Sequence, residues 1–225
     1  MTPFRKTLSL LRYGPGRALR KRILALLVVA TPAAAWAEEI TVVALGDSLT
    51  HGYGLPQEEG FVPQLDAWLA EHGAEAVEVV NAGVSGDTTA GGLARFDWSV
   101  SEGADAMIVA LGGNDLLRGI QPETSRANLD AILDKADAMG IPVLLSGMRA
   151  PLNYGPDYKE AFDGMYPELA EEHGALYDPF FLAGVEEDRS LWQADGLHPN
   201  AEGVARIVER IGPMVLDLVE RARGG

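Results

Sequence analysis

Ile40-Thr41-Val42-Val43-Ala44-Leu45-Gly46-Asp47-Ser48-Leu49-Thr50 is the stretch whose reading decides the fold. Its apolar start, Ile40 to Val43, reads as a short buried strand, and the residues after Thr50 take up helical spacing. A serine at the junction between a strand's C-terminal end and the next helix sits where open α/β sheets place their ligands. Gly46 is expected to let the backbone turn tightly, and the amides after Ser48 to point toward whatever the hydroxyl approaches. Gly-Asp-Ser also occurs in ordinary turns. The weight of the stretch therefore comes from three later segments of the chain, around Gly86, Asn114 and His198.

Downstream, Phe61, Val62, Leu65, Trp68 and Leu69 recur at helical spacing, with Gly73 as C-cap. Val77 to Val80 predicts a second strand. Asn81 to Thr89, rich in Gly and small polar residues, predicts a loop, and Leu93, Phe96 and Val100 predict a helix behind it. Ala106 to Leu111 is the clearest strand, stopped by Gly112-Gly113-Asn114-Asp115. A stripe from Leu129 to Met139, a strand over Pro142 to Leu145 and a long loop from Gly147 to Asp157 come next. After them stand a helix from Tyr158 to His173, weakened by Gly164 and Pro167, and a fifth strand at Ala175 to Tyr177. The last helix starts at Asn200 as N-cap and should kink at Pro213. Strands alternating with helices in this way predict a parallel sheet covered on both faces. Ser48, Gly86 and Asn114 each come just after a strand's C-terminal end, so all three should share one edge of that sheet.

The N-terminus carries Arg5, Lys6, Arg12, Arg17, Arg20, Lys21 and Arg22 and has no acid before Glu38. Ile23 to Ala30 is continuously apolar, and Ala35-Trp36-Ala37 fits a small-x-small cleavage site, so residues 1–37 read as a secretory signal peptide. The apolar run falls short of the roughly 20 residues of a spanning helix and is interrupted by Thr31-Pro32. Cleavage after Ala37 predicts a periplasmic or secreted domain with no stable membrane insertion; the alternative is an uncleaved membrane anchor. Residues 38–225 should form one domain with a substantial core. In that domain 11 Lys and Arg face 33 Asp and Glu, a net charge of −22 that disfavours nucleic acid and anionic surfaces as partners. The absence of cysteine removes disulfides, thiolate nucleophiles and thiolate metal sites together. No coiled-coil pattern points to assembly, so the expected state is a monomer.

An oxygen nucleophile needs a base within reach and a third group to orient that base. Of the four histidines, His72 and His173 each precede a glycine at a helix end and read as structural. His51 lies three residues after Ser48, either as the base or as a lining of the entrance; on so short a turn it would struggle to face the hydroxyl squarely. His198 sits in Ala194-Asp195-Gly196-Leu197-His198-Pro199, where a turn through Gly196 can bring Asp195 onto one imidazole nitrogen while the other faces Ser48. The same Asp–His pair can also serve merely to cap the last helix. Acyl transfer further needs donors for the oxyanion, which the amides of Ser48 and Gly86 and the side chain of Asn114 can supply.

Taken in order, Gly46-Asp47-Ser48-Leu49, Gly86 in Ser85-Gly86-Asp87-Thr88, Gly112-Gly113-Asn114-Asp115 and Asp195-Gly196-Leu197-His198-Pro199 resemble the four blocks of the GDSL, or SGNH, hydrolases. Leu117-Arg118-Gly119, Asn153-Tyr154-Gly155, Glu160-Ala161-Phe162 and Pro179-Phe180-Phe181 are similar to the periplasmic acyl-CoA thioesterase I, lysophospholipase and arylesterase branch of that family. The resemblance implies a three-layer α/β/α flavodoxin-like fold with a five-stranded parallel sheet. It implies hydrolysis of small-molecule acyl esters or thioesters through an acyl-enzyme, with no cofactor and no metal. Ser48 is then the nucleophile, His198 the general base and acid, and Asp195 its orienting partner; Ser48, Gly86 and Asn114 form the oxyanion hole. The family's mobile loop would fall near Leu116 to Gln121, with Leu116 standing where this branch often has glycine. Leu116, Leu117, Ala150 and Leu152 are the expected substrate-binding residues, Ala150 standing where the branch can carry leucine.

Two other readings use the same residues. A metal-dependent phosphoesterase can recruit Asp47, Asp87, Asn114, Asp115 and His198, although a two-metal centre usually needs more His and Asp ligands than these loops offer. A non-catalytic acyl- or lipid-binding protein would keep the fold without turnover.

Overall fold

The computed structural model describes residues 39–100 and 103–224, so the predicted signal peptide over residues 1–37 lies outside the described residues. The strands are β1 (Ile40–Gly46), β2 (Val77–Gly83), β3 (Ala106–Ala110), β4 (Val143–Ser146) and β5 (Leu176–Asp178). Between them run α1 (Ser48–His51), α2 (Phe61–Glu71), α3 (Thr89–Ala94), α4 (Phe96–Ser99), α5 (Gly113–Leu117), α6 (Pro122–Met139) and α7 (Pro156–Glu172), and α8 (Ala201–Arg223) closes the fold.

All five strands pair in parallel, in the order β2-β1-β3-β4-β5. This is the flavodoxin-like order, and the three-layer α/β/α fold expected from the sequence is present. Each residue of β3 and β4 is buried, as strands covered on both faces require. The helices segregate by contact: α2 packs on α8, whereas α6 packs on both α3 and α7. Right-handed crossovers from this strand order put those two groups on opposite faces. Apolar residues of α8, Val204, Ile207, Val208, Ile211, Val215, Leu218 and Val219, are all buried. Helix α8 is capped by Asn200, whose side chain accepts from the Gly203 amide at 3.0 Å, and it continues through Pro213.

Three local expectations are corrected. Strand β2 does not stop at Val80 but runs to Gly83, because β1 itself continues to Gly46 and needs a partner: Ala44 pairs with Asn81, Leu45 with Ala82 and Gly46 with Gly83. The polar, Gly-rich composition there reflects α1 lying across the strand end. The Asn81 amide donates to Thr50 O at 3.2 Å, and a Cβ on Gly83 would sit 2.3 Å from His51 N. The helix expected through Leu93 and Val100 is two short helices parted at Arg95. That guanidinium turns inward to Asp87 (2.5 Å), Ala82 O (2.8 Å) and Gly46 O (2.8 Å), tying β1, β2 and the loop after β2 together. Finally, Gly46 has no unusual φ; its role is space, since a Cβ would lie 2.0 Å from Thr50 Oγ1.

Strand β1 is flanked by β2, its successor, and by β3 on the other side. The order in which strands are added therefore reverses at β1, and a crevice opens outside the carboxyl ends of β1 and β3. The residues after β1, β2 and β3 all lead into it.

Candidate active site

Ser48 is the first residue of α1. Asp47 caps that helix by accepting the Leu49 amide at 3.0 Å, and Asp47 is only 2% exposed. As the first helical residue, Ser48 keeps an amide with no intrahelical acceptor. Its hydroxyl faces His198: Nε2 lies 2.9 Å from Ser48 Oγ across 150 residues of sequence. The other imidazole nitrogen, Nδ1, lies 2.7 Å from Asp195 Oδ2.

Local bonding sets the Asp195 loop. Asp195 Oδ1 accepts the amides of Leu197 (2.9 Å) and His198 (3.0 Å), and the loop closes by Gln193 N donating to His198 O at 2.8 Å. The Gln193 side chain then donates to Tyr53 O (2.8 Å) and Pro199 O (3.0 Å), lashing the histidine loop to the segment after Ser48. Hydrogen bonds from the His198 imidazole, then from the Leu197 and His198 amides, hold the Asp195 carboxyl down at about 2. It is thus an acceptor throughout the neutral range, and it selects the tautomer with hydrogen on Nδ1 and a lone pair on Nε2.

Gly86 and Asn114 complete the set. Gly86 takes φ +85°, a conformation that side chains disfavour, and among the described residues its amide has no acceptor. Its carbonyl is held by Arg118 Nη2 at 2.7 Å. Asn114 lies in α5, launched from Gly112 at φ +114°. Tyr166 fills the space there: its hydroxyl donates to Leu111 O at 3.0 Å, and a Cβ on Gly112 would lie 2.1 Å from it. Asp115, fully buried, accepts from the Thr89 amide (2.8 Å), Thr89 Oγ1 (2.5 Å) and Ser125 Oγ (3.0 Å), which fixes the Gly86 loop against α5.

Ser48, Gly86, Asn114 and His198 line one cleft of about 290 Å³. Its remaining wall is largely apolar, with Leu49, Leu116, Leu117, Met148, Phe180, Leu182 and Leu197, and it also carries Tyr53 and Arg149. The Arg149 guanidinium lies 5.0 Å from the Phe180 ring centroid, and the Tyr53 ring 4.8 Å from that of His198. Leu116 and Leu117 thus reach the cleft. Ala150 and Leu152 do not line it. Ala150 is 2% exposed and turned to α7, with its amide on Asp163 Oδ1 (2.7 Å) and its carbonyl on Lys159 Nζ (2.7 Å), while Leu152 is 72% exposed.

Sequence reasoning missed Tyr53, Met148, Arg149, Phe180 and Leu182. The signal for Met148 and Arg149 was available, since they come after the C-terminal end of β4 as Ser48 comes after β1. His51 does not face Ser48; its Nδ1 lies 3.2 Å from Ser85 Oγ. His72 stacks on Trp68 at 3.7 Å between centroids. Of the residues weighed as hard ligands, Asp87 is engaged by Arg95, Asp115 by Thr89 and Ser125, and Asp47 by Leu49 and Asn114. They form no common cluster among the described residues.

Residues 44–206 match the GDSL-like Lipase/Acylhydrolase family. "Esterase TesA" of Pseudomonas aeruginosa is 42% identical over 180 residues, covering 80% of this chain and 89% of that protein. "Thioesterase 1/protease 1/lysophospholipase L1" of Escherichia coli is 37% identical over 181 residues, covering 80% and 85%. The crystal structure of the psychrotrophic esterase EstA from Pseudoalteromonas, inhibited by monoethylphosphonate, is 30% identical with a TM-score of 0.75, covering 80% of this chain and 98% of that one.

Proposed function

This chain belongs to the GDSL-like lipase/acylhydrolase family and is a carboxylic ester hydrolase, and we propose that it works through an acyl-enzyme formed on Ser48. The observation that carries the mechanism is the continuous line Asp195 Oδ2, His198 Nδ1, His198 Nε2, Ser48 Oγ at 2.7 and 2.9 Å. Ser48 Oγ attacks the ester carbonyl as His198 Nε2 takes its proton, and Asp195 stabilises the imidazolium that forms. The oxyanion is met by the amides of Ser48 and Gly86 and by the Asn114 side chain. Collapse of the tetrahedral intermediate expels the alcohol, to which His198 returns the proton. Water activated by the same imidazole then frees the acid.

The apolar wall of Leu116, Leu117, Met148, Phe180 and Leu182 supports an acyl chain of hydrocarbon character. A thioester fits the same chemistry, because the oxyanion donors meet the same carbonyl oxygen and a thiolate leaves with less need of the His198 proton than an alkoxide does. The basic, then apolar, N-terminal segment supports export with removal of residues 1–37; no described helix is long and apolar enough to cross a membrane.

The test is a panel of p-nitrophenyl esters from acetate to palmitate, run beside palmitoyl-CoA, with Ser48→Ala as the comparison. Turnover by the parent chain and its loss in a folded Ser48→Ala variant is the expected result. Equal turnover in the variant would refute the assignment.

A further inference from the structure

We infer that Arg149 gives the acyl cleft an anion subsite, so that the enzyme takes acyl groups ending in a carboxylate, the hemiesters of dicarboxylic acids. The inference rests on the ester-hydrolase mechanism above and adds the class of acyl group which that mechanism serves. Arg149 is exposed and, apart from His198, is the one basic residue lining the cleft among the described residues. It follows Met148 in the wall assigned to the acyl chain, and its guanidinium lies over the Phe180 ring, 5.0 Å from the centroid. A pure hydrocarbon chain gains nothing from a charge at that place. Strands β1 and β4 stand two places apart in the sheet, about 10 Å at the usual strand spacing. An anion on Arg149 therefore belongs at the far end of an acyl chain whose carbonyl sits beside Ser48.

The guanidinium is free because the acids around it are already engaged. Arg95, Arg126, Lys135, Lys159 and Arg210 each hold a carboxylate, whereas Arg149 holds none among the described residues. In a domain with 33 acids and 11 bases, that is a departure with a local cause. Asp163 gives one oxygen to the Ala150 amide (2.7 Å) and the other to Lys159 Nζ (2.5 Å). Asp178, fully buried, is taken by both Nη atoms of Arg210 and by Ser146 Oγ at 2.5 Å. The platform beneath Arg149 is fixed by the same groups. Gly147 N donates to Asp178 O (2.8 Å) and Phe181 N to Gly147 O (2.9 Å), joining the segments after β4 and β5. Arg210 Nη2 then holds Phe180 O at 2.9 Å. An arginine seated on an aromatic ring keeps its N–H fork for a planar carboxylate.

Matched esters test the inference: mono-p-nitrophenyl adipate and p-nitrophenyl hexanoate share chain length and leaving group and differ in the terminal charge. The readout is the ratio of their kcat/KM values. Arg149→Met keeps the bulk of the stem and loses the charge. It should lower that ratio by about 10–100-fold, the range of one charged hydrogen-bonded contact. Arg149→Lys, which keeps the charge, should lose clearly less. Hexanoyl esters of 4-hydroxybenzoate and of phenol carry the same charge difference on the leaving group, and their ratio should move by less than about threefold in Arg149→Met. A fall of less than about tenfold in the adipate ratio would overturn the inference, because a stem that only covers Phe180 affects both esters alike. So would a loss in Arg149→Lys as large as that in Arg149→Met, or a larger change in the leaving-group pair. A parent chain that cleaves the hexanoate ester and leaves the adipate monoester intact would overturn it too. A parent that cleaves neither would instead strike the ester-hydrolase reading.

Discussion

Two histidines in this molecule hold aspartates at hydrogen-bond distance, and they do different work. His198 has Asp195 on Nδ1 at 2.7 Å and Ser48 Oγ on Nε2 at 2.9 Å. His173, at the C-terminal end of α7, has Asp137 on Nδ1 at 2.6 Å and Asp130 on Nε2 at 2.8 Å, both from α6. Proximity of a carboxylate is common to both. The difference is the second nitrogen: on His198 it meets a hydroxyl that can give up a proton, whereas on His173 it meets another acceptor. A neutral imidazole has one N–H and cannot satisfy two carboxylates, so His173 suits the imidazolium and acts as a fixed charge clamping two helices. His198 must be free to gain and lose a proton.

That contrast breaks most visibly at the base. His198→Ala should lower kcat by about 10⁴–10⁶, and a loss of less than about tenfold would reassign proton transfer elsewhere. Asp195→Asn leaves an imidazole in reach of Ser48 but removes the group that selects its tautomer, and a fall of about 10²–10⁴ in kcat is expected. Because the Asp195 carboxyl is held down at about 2, it stays ionised and should contribute nothing to the acid limb of the activity profile at pH 5–7. A pH–rate profile of the parent beside Asp195→Asn checks this.

His173→Gln should change kcat and KM by less than about twofold, its effect being on stability. Burial alone would push the His173 imidazole down, but Asp137 and Asp130 outweigh it and the net shift is upward. For a raised histidine, the stabilisation is complete below the unfolded value of 6.5 and is lost as pH rises through the higher folded value. His173→Gln should therefore melt about 2–4 °C below the parent at pH 5.5, a gap worth about 1 kcal/mol for exposed partners, and the gap should close toward pH 9. A gap that widens with pH would show that the clamp is not ionic.

What could be read from the sequence divides along the same physical line. Ser48, Gly86, Asn114 and the Asp195–His198 turn were legible because each lies just beyond a strand or at a helix start, where residue type and short spacing carry the geometry. His173 was legible only as a helix end; its two aspartates lie 36 and 43 residues away on α6, and nothing local announces them. Asn81 to Gly83 was misread because glycine there answers to the backbone of α1, a tertiary neighbour. Ala150 and Leu152 were misplaced for a similar reason. Which side of that loop faces the cleft is set by Asp163 and Lys159 on α7, and Arg149, one residue earlier, is the one that reaches it.

The central claim is that Ser48 is made nucleophilic by His198, and a fluorophosphonate probe read by peptide mass spectrometry tests it most directly. The account predicts a single adduct on Ser48 in the parent chain, retained in His173→Gln and abolished or slowed by orders of magnitude in His198→Ala. Labelling at another residue, or equally fast labelling of Ser48 without His198, would contradict it.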